Sequence, residues 1–284
     1  EGGFRGPGFN MMGQTAANMG VAFGDVDMDG LGDLFITHLS EEFHALYRQD
    51  RPGLFIDTTS ASGLQQQAWR GTGFGTVLTD LDLDGALDLA FVNGLIRRAL
   101  PNQTPVLSGV SSWWARYAQR PQLFANDGAG KFRDISSTNP AFCGHAIVGR
   151  SLAVGDLNND GAPDLVVGGV GGPAKIYENT APRRGHWLRL RLVEPACGGR
   201  DSIGAELLVH AAGRRFWTLL QPATSYLSSN DPTLHFGLGR ADKIDLVEVR
   251  WPDGTAEQFA GVPVNQLTTL KKGSGRNQSE TVAR

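Results

Sequence analysis

The strongest constraint on the fold is an aspartate-rich segment that occurs three times. It reads DVDMDGLGDLFI at residues 25–36, DLDLDGALDLAF at 80–91 and DLNNDGAPDLVV at 156–167. A short apolar run precedes each copy, and a run with high strand propensity follows it. Together with later strand-like runs they form units of four short strands in roughly 50 residues, which is typical of a β-propeller blade. The repeat predicts an all-β fold containing a partial β-propeller, and it disfavours a generic β-sandwich with three similar loops.

The spacing of the copies locates an insertion. The first two segments start 55 residues apart, at 25 and 80, and the next two start 76 apart, at 80 and 156. An insertion of 22 residues in the second unit explains the difference and lies at about 95–121. We assign residues 1–180 to the blades. Propellers usually contain at least ~4 blades, so three units predict further blades N-terminal to residue 1 or a ring completed by another chain.

The aspartate-rich loops carry the chemistry of a metal site. Oxygen-bearing side chains fall at positions 1, 3, 5 and 9 of each loop, and a glycine at position 6 allows a sharp turn. With a carbonyl from position 7, such all-oxygen donors favour Ca²⁺ ahead of Mg²⁺. The predicted ligands of about three structural Ca²⁺ ions are Asp25, Asp27, Asp29, Leu31 and Asp33; Asp80, Asp82, Asp84, Ala86 and Asp88; and Asp156, Asn158, Asp160, Ala162 and Asp164.

Two other interpretations of these loops are weaker. An EF-hand has a bidentate Glu at position 12 and helices on both sides, whereas position 12 here is Ile36, Phe91 or Val167 in strand-like runs. Solvated acidic turns also favour Asp, Asn and Gly, but they do not require the same spacing three times. Asn158 removes one negative charge from the third loop, which predicts weaker metal binding there.

Composition narrows the class of protein. The chain has 284 residues, a net charge of −3 and a pI near 6.1, so no general attraction to nucleic acid is expected. Glycine, at 38 residues, is about twice its usual ~7%, which suits many turns between short strands. No apolar run is long enough to span a membrane. Cys143 and Cys197 either pair or are two unrelated thiols.

The repeat resembles the FG-GAP/VCBS repeat, the Ca²⁺-carrying blade of integrin α-like propellers. The resemblance rests on SLAVGDLNNDGAPDLVVGG and its two partners, covers roughly residues 10–180, and includes a Phe74-Gly75 pair before the second loop. It implies that the ions are structural and that other loops on the propeller faces bind partners.

A second domain follows at 186–272, and its strand-like runs predict a small β-sandwich-like fold. SIGAELLV, FGLG and DLVEVRWPDGT resemble the ASPIC/UnbV domain, in the same order. That domain follows FG-GAP repeats in the cartilage acidic protein-like group of secreted proteins. The polar tail at 273–284 is expected to be disordered.

These features predict an extracytoplasmic Ca²⁺-binding protein-interaction module, for adhesion or scaffolding, that is secreted, periplasmic or on the outer surface. The insertion is the candidate partner surface, because aromatic and arginine side chains are enriched in protein–protein hot spots. Its candidate residues are Arg97, Arg98, Trp113, Trp114, Arg116, Tyr117 and Arg120. An equally supported alternative is that the tryptophan pair only packs the insertion onto its blade.

Two other functions stay open. The chain could be an accessory subunit of a larger, membrane-associated assembly, in which a protein partner or further blades complete the ring. A propeller-based hydrolase is less favoured, since the sequence has no HExxH motif and no GxSxG motif around a serine. We therefore expect a non-enzymatic protein.

Overall fold

A computed structural model describes residues 15–66, 69–99, 111–182 and 185–277. The first two units each form a four-stranded antiparallel sheet in chain order, as the repeat predicts. The first sheet consists of β1 (Val21–Gly24), β2 (Asp33–Ile36), β3 (Ala45–Arg51) and β4 (Leu54–Asp57). The second consists of β5 (Gly73–Thr79), β6 (Asp88–Asn93), β7 (Gln122–Asn126) and β8 (Phe132–Asp134).

The third unit forms a sheet of three strands: β9 (Gly149–Gly155), β10 (Asp164–Gly169) and β11 (Lys175–Tyr177). The inner strand β5 packs beside both β1 and β9, so the three sheets stand side by side as propeller blades do. In all three, the aspartate-rich loop joins the inner strand to the next strand. The prediction of an all-β fold with propeller blades is confirmed.

Apolar side chains between neighbouring blades form the core of this region. Phe91 lies between Phe35 of the first blade and Phe124 of its own, with ring centroids 5.6 and 5.7 Å apart. Between the second and third blades, Phe142 and Tyr177 meet edge to face at 5.2 Å. Short helices lie beside the strands: α1 (Ser112–Ala115), α2 (Pro140–Cys143) and 3₁₀ turns at 64–66, 136–138 and 195–197.

The C-terminal region forms two further sheets around one separate core. One sheet has β13 (Arg200–Asp201), β12 (His186–Glu194) and β16 (Leu234–Gly239) in order, with β19 (Leu267–Lys271) parallel to β12. The other has, in order, β15 (Arg214–Leu219), β14 (Glu206–Ala211), β17 (Leu246–Arg250), β18 (Ala256–Phe259) and β20 (Arg276–Asn277). This confirms the sandwich-like fold.

Two details differ from or refine the expectations, one at the C-terminus and one at the cysteines. Residues 273–284 were expected to be disordered, but Arg276–Asn277 pairs with β18 as an edge strand; residues 278–284 lie outside the described part. Cys143 is buried, Cys197 is exposed, and both are free thiols, so the two cysteines are unrelated. Burial raises the pKa of the Cys143 thiol to about 12.

Alternation along β12 and β16 places one face of their sheet against the C-terminal core and the other against the blades. Leu188, Leu190 and Leu192 are fully buried in that core. Trp187 and Arg189, which alternate with them, point toward the blades and contact the third aspartate loop. The C-terminal region therefore covers the ends of the blades at which the loops lie.

One serine joins all three blades. Ser225 lies in the segment 222–231 and exchanges two backbone hydrogen bonds with Val21 on β1, at 2.6 and 3.3 Å. Its Oγ accepts the amide of Thr76 on β5 at 2.9 Å and donates to the carbonyl of Leu152 on β9 at 2.7 Å. A single residue of the C-terminal region thus satisfies backbone groups on three inner strands.

Replacing Ser225 with Ala should therefore destabilise the protein. The change leaves the Thr76 amide without its acceptor, and we expect the free energy of unfolding to fall by about 1–3 kcal/mol. Urea unfolding measures this. Leu227→Ala is the control, because Leu227 lies in the same segment, also has a positive φ and is 80% exposed. Equal stability of the two variants would contradict the role assigned to Ser225.

Candidate metal centre

The three aspartate loops have the same backbone conformation. Position 4 has a positive φ in each, with 60° at Met28, 64° at Leu83 and 60° at Asn159. The glycine at position 6 has a φ of 92°, 93° and 89° in the three loops. Positive φ is unfavourable for residues other than glycine, so the surrounding hydrogen bonds must hold position 4 in place.

The aspartate at position 1 supplies those hydrogen bonds. One carboxylate oxygen accepts the amide of position 5 and the other accepts the amide of position 6. The distances are 3.2 and 2.9 Å at Asp25, 3.2 and 2.7 Å at Asp80, and 3.1 and 2.9 Å at Asp156. The position-5 aspartates accept the amides of Leu31, Ala86 and Ala162 at position 7. Coordination by the position-7 carbonyls stays a prediction.

The aspartate at position 9 ties each loop to the third strand of its blade or to the residues just after it. Asp33 accepts the amides of Val26 and Gln49 at 3.0 and 2.9 Å. Asp88 and Asp164 repeat the arrangement with Leu81 and Asn126, and with Leu157 and Asn179. The 1-3-5-9 spacing therefore has a structural role in addition to the predicted metal ligation.

Two of the three loops gather carboxylates closely enough for a metal ion. Oxygens of Asp25, Asp27 and Asp29 lie within 4.8 Å of one another, as do oxygens of Asp80, Asp82 and Asp88. Asp33 is not part of the first group, and Asp84 is not part of the second. These donors fit a hard divalent cation, which takes carboxylate oxygens at this separation.

The electrostatics of the first two loops also fit a bound cation. Burial, together with neighbouring carboxylates, raises the pKa of Asp25 and Asp33 to about 6, of Asp88 to about 7 and of Asp80 to about 8. Backbone hydrogen bonds act in the opposite direction but are outweighed. In the first loop, Asp27 Oδ1 is buried without a hydrogen-bond partner. Such groups gain from a nearby positive charge.

Arginine side chains supply part of that charge. Arg48 on β3 pairs with Asp27 and lies 3.6 Å from Asp29, and its side chain is 38% exposed at the rim of the first loop. Arg214 on β15 donates to the Asp84 carbonyl at 3.0 Å and to the Met28 sulfur at 3.3 Å, and so bridges the first two loops.

The third loop differs from the other two, although its backbone is the same. Asp156 forms an ion pair with Arg189 of β12, with Nη1 2.8 Å from Oδ2. The guanidinium of Arg189 therefore lies against the position-1 carboxylate of this loop. At position 3, Asn158 accepts the Asp160 amide at 3.0 Å and donates to Glu178 at 3.2 Å.

Sequence reasoning did not identify the residues of the C-terminal region that cover the loops. Arg189 and Trp187 lie on the third loop, and Gly237 lies on the second, where a Cβ would overlap Asp80 Oδ2. The alternation in HWLRLRL indicates that Arg189 lies opposite the leucines. Nothing local to that strand indicates that its other face meets a loop 33 residues earlier in the chain.

The insertion divides its predicted partner residues into two sets. Trp114 packs against Gly171 of the third unit and lies 5.9 Å from the Tyr117 ring, and Arg116 donates twice to the Ala99 carbonyl. The exposed set is Arg97, Arg98, Trp113 and Arg120. The Arg98 guanidinium lies 4.1 Å from the centre of the Trp113 ring, which is 53% exposed. Residues 100–110 of the insertion lie outside the described part.

The blade sheets, each with an aspartate-rich loop between its first two strands, and the β-sandwich-like region that covers them define a class of β-propeller protein. Comparison with known families agrees with this assignment. Residues 111–167 match the FG-GAP-like repeat, and residues 197–277 match the family described as ASPIC and UnbV. Both family resemblances are confirmed.

Curated relatives extend the similarity over most of the chain. Cartilage acidic protein 1 of Mus musculus is 24% identical over 283 residues, covering 84% of this chain and 42% of the relative. The proteins of that name from Xenopus tropicalis and Homo sapiens are 22% and 24% identical, with similar coverage. The chain spans less than half the length of these relatives.

The raised pKa values predict how stability depends on pH without metal. In the unfolded state, all aspartates are already ionised between pH 6.5 and 8.5. In the folded state, Asp80 and Asp88 lose their protons within this range. The unfolded state therefore binds fewer protons, and stability falls as pH rises through about 7 and 8. Below this window His38, His44 and His235, whose pKa values are lowered by burial, oppose the trend.

Urea unfolding in chelator at several pH values measures this slope. Asp80→Asn is the matched variant and should show a shallower slope, because it removes the group whose pKa is raised most. A metal-free protein whose stability is constant or rises across the window would contradict the assignment of buried, uncompensated carboxylates.

Proposed function

We propose that the chain is an extracytoplasmic protein-interaction module, for adhesion or scaffolding, that structural Ca²⁺ stabilises. The observation that carries the metal assignment is that two clusters of three aspartates bring their oxygens close together. The first cluster is Asp25, Asp27 and Asp29, and the second is Asp80, Asp82 and Asp88. Both groups lie where the C-terminal region meets the blades. Ca²⁺ accepts irregular sets of oxygen donors, whereas Mg²⁺ requires a near-ideal octahedron, so these groups favour Ca²⁺.

The proposed location follows from the same chemistry and from the relatives. Extracellular modules of moderate Ca²⁺ affinity fill at about 0.1–1 mM Ca²⁺, which is available outside the cytoplasm. The similarity to FG-GAP-like repeats and to cartilage acidic protein 1 supports this location. In the part of the chain that the structure describes, no helix is long and apolar enough to cross a membrane.

Two features support a bracing role for the metal. Each loop joins the inner strand of a blade to the next strand, and its position-9 aspartate holds the third strand or the residues after it. Arg214 of the C-terminal region contacts the first and second loops at once. A cation in either loop would therefore stabilise a blade and the surface on which the C-terminal region rests.

Chelation should lower the stability of the protein. An ion present at a hundredfold excess over its Kd contributes about 2.7 kcal/mol, so EGTA should lower the Tm by roughly 5 °C or more. Differential scanning calorimetry measures the change. Asp80→Asn should keep only part of the Ca²⁺-dependent shift. If EGTA leaves the Tm of the wild-type chain unchanged, the proposal that bound Ca²⁺ stabilises the fold is wrong.

The proposed partner surface is the exposed part of the insertion, formed by Arg97, Arg98, Trp113 and Arg120. Trp113 presents a large aromatic face with a guanidinium beside it, a combination that recurs in hot spots of protein interfaces. Trp114 packs on Gly171, the Tyr117 ring lies 5.9 Å from the Trp114 ring, and Arg116 donates to the Ala99 carbonyl. These three residues support the surface from behind.

Removing the exposed pair should weaken binding to a protein partner. The double variant Arg98→Ala/Trp113→Ala should lose tenfold or more in affinity, because central aromatic and arginine residues carry most of the binding energy. Binding to immobilised extracellular-matrix proteins, measured in Ca²⁺, tests this. Arg51→Ala is the control, as an exposed arginine on the first blade. If the wild type, the double variant and Arg51→Ala bind equally well, the partner surface lies elsewhere on the protein.

A permanent place in a larger, membrane-associated assembly is the second candidate function, and one observation favours it. Among the described residues, β11 pairs only with β10, and its Ile176 is 68% exposed. The corresponding strands of the first two blades carry a further strand. Co-purification with a fixed partner would support this alternative. A propeller-based hydrolase would gain support only from an activity that Asp84→Ala abolishes without unfolding the protein.

A further inference from the structure

We propose that the third aspartate loop takes no metal ion, because the guanidinium of Arg189 already serves as its cation. The chain then binds two Ca²⁺ ions and uses the third loop to hold its C-terminal region. The count of two rests on the proposed function of the first two loops. The role of Arg189 does not, and the two are tested separately below.

The backbone does not explain the difference between the loops. Asn159 and Gly161 adopt the same positive φ as their counterparts, and Asp156 accepts the same two amides as Asp25 and Asp80. The third loop is thus built to the same plan. What differs is the neutral Asn158 at position 3 and the side chain that the C-terminal region places against the loop.

Arg189 is held on both sides. Its Nη1 donates to Asp156 Oδ2 at 2.8 Å and to Asn159 Oδ1 at 3.1 Å. Its Nη2 donates to Asp231 Oδ2 at 3.0 Å and to Thr233 Oγ1 at 3.4 Å. The side chains of Arg189 and Asp156 are 6% and 1% exposed, so neither can turn into solvent without opening the interface.

The donors of the third loop do not fit a divalent cation. Asp156 Oδ2 already accepts from both Gly161 and Arg189, and a cation there would face a fixed positive charge. Position 3 is Asn158, a neutral side chain whose amide group donates to Glu178. The third loop therefore has three carboxylates where each of the other two has four, and Arg189 neutralises one of the three.

Among the described residues, no arginine pairs with the position-1 carboxylate of the first or second loop as Arg189 does with Asp156. In the second loop, β16 places Gly237, which has no side chain, against Asp80. In the first loop, Arg48 pairs with Asp27, but it is 38% exposed and lies at the rim. Arg48 is therefore less confined than Arg189, whose side chain is 6% exposed.

Neighbouring contacts complete the attachment at the third loop. Trp187 covers Gly161, where a Cβ would overlap the indole ring, and His235 Nε2 lies 2.8 Å from the Gly161 carbonyl. The two rings stack with an interplanar angle of 11°. Arg189, Trp187 and His235 thus hold one loop from two adjacent strands of the C-terminal region.

Calorimetric titration of the chelator-stripped, full-length chain with Ca²⁺ tests the count. We expect two ions for the wild type, two for Asp156→Asn and one for Asp80→Asn. Three ions for the wild type that fall to two in Asp156→Asn would overturn the proposal, because the third loop would then bind metal alongside Arg189.

A double-mutant cycle in chelator tests the role of Arg189 without metal. Arg189→Met should raise the unfolding equilibrium constant on the order of a hundredfold, since it strands the buried Asp156. In the double variant with Asp156→Asn, the rise in the unfolding equilibrium constant should be at least tenfold smaller than the product of the rises in the two single variants. Arg191→Met is the control on the same strand, 46% exposed, and should combine independently with Asp156→Asn.

Failure of the role of Arg189 and failure of the proposed Ca²⁺ sites give different results in these experiments. Independent effects of Arg189→Met and Asp156→Asn would overturn the role of Arg189 whatever the number of ions. A wild-type chain that binds no Ca²⁺ but keeps the coupling would refute the proposed metal sites and leave Arg189 as the cation of the third loop. If Arg189→Met does not fold, Arg189→Lys enters the cycle instead, because an ammonium group cannot bridge Asp156 and Asp231.

Discussion

Buried carboxylates need compensating positive charge, and this requirement organises the whole structure. The loops concentrate aspartates where the blades meet the C-terminal region. Backbone amides satisfy the hydrogen bonds of Asp25, Asp80 and Asp156, but they do not cancel the charge. Burial consequently raises the pKa of Asp80 to about 8. Arginines, and the metal ions we propose, provide the compensation.

The structure meets this requirement differently in each loop although the loops share one backbone. Arg48, from the same blade, lies at the rim of the first loop. Arg214, from the C-terminal region, bridges the first two loops, and Arg189 enters the third. The repeat thus supplies equivalent loops, and the asymmetric C-terminal region makes them inequivalent. The same region also links the blades, since Ser225 bonds to all three inner strands.

Much of the fold could be predicted because its signals are local. Each aspartate loop and its flanking strands occupy a short stretch, so spacing and strand propensity reveal them without knowledge of distant contacts. The spacing also located the insertion, but it did not separate the two tryptophans. Trp113 and Trp114 are adjacent in the sequence, yet Trp113 is 53% exposed and Trp114 packs on Gly171. That outcome depends on a blade formed about 60 residues later in the chain.

The sequence by itself determined the blade unit, the order of the two regions and the positions of the oxygen donors, because each depends on residues within one loop or strand. Tertiary structure alone decided which carboxylates lie together and which arginine lies against each loop. Asp156 and Arg189 are 33 residues apart, and Thr76 and Ser225 are 149 apart. Their pairing depends on how the C-terminal region rests on the blades, and no local periodicity encodes that placement.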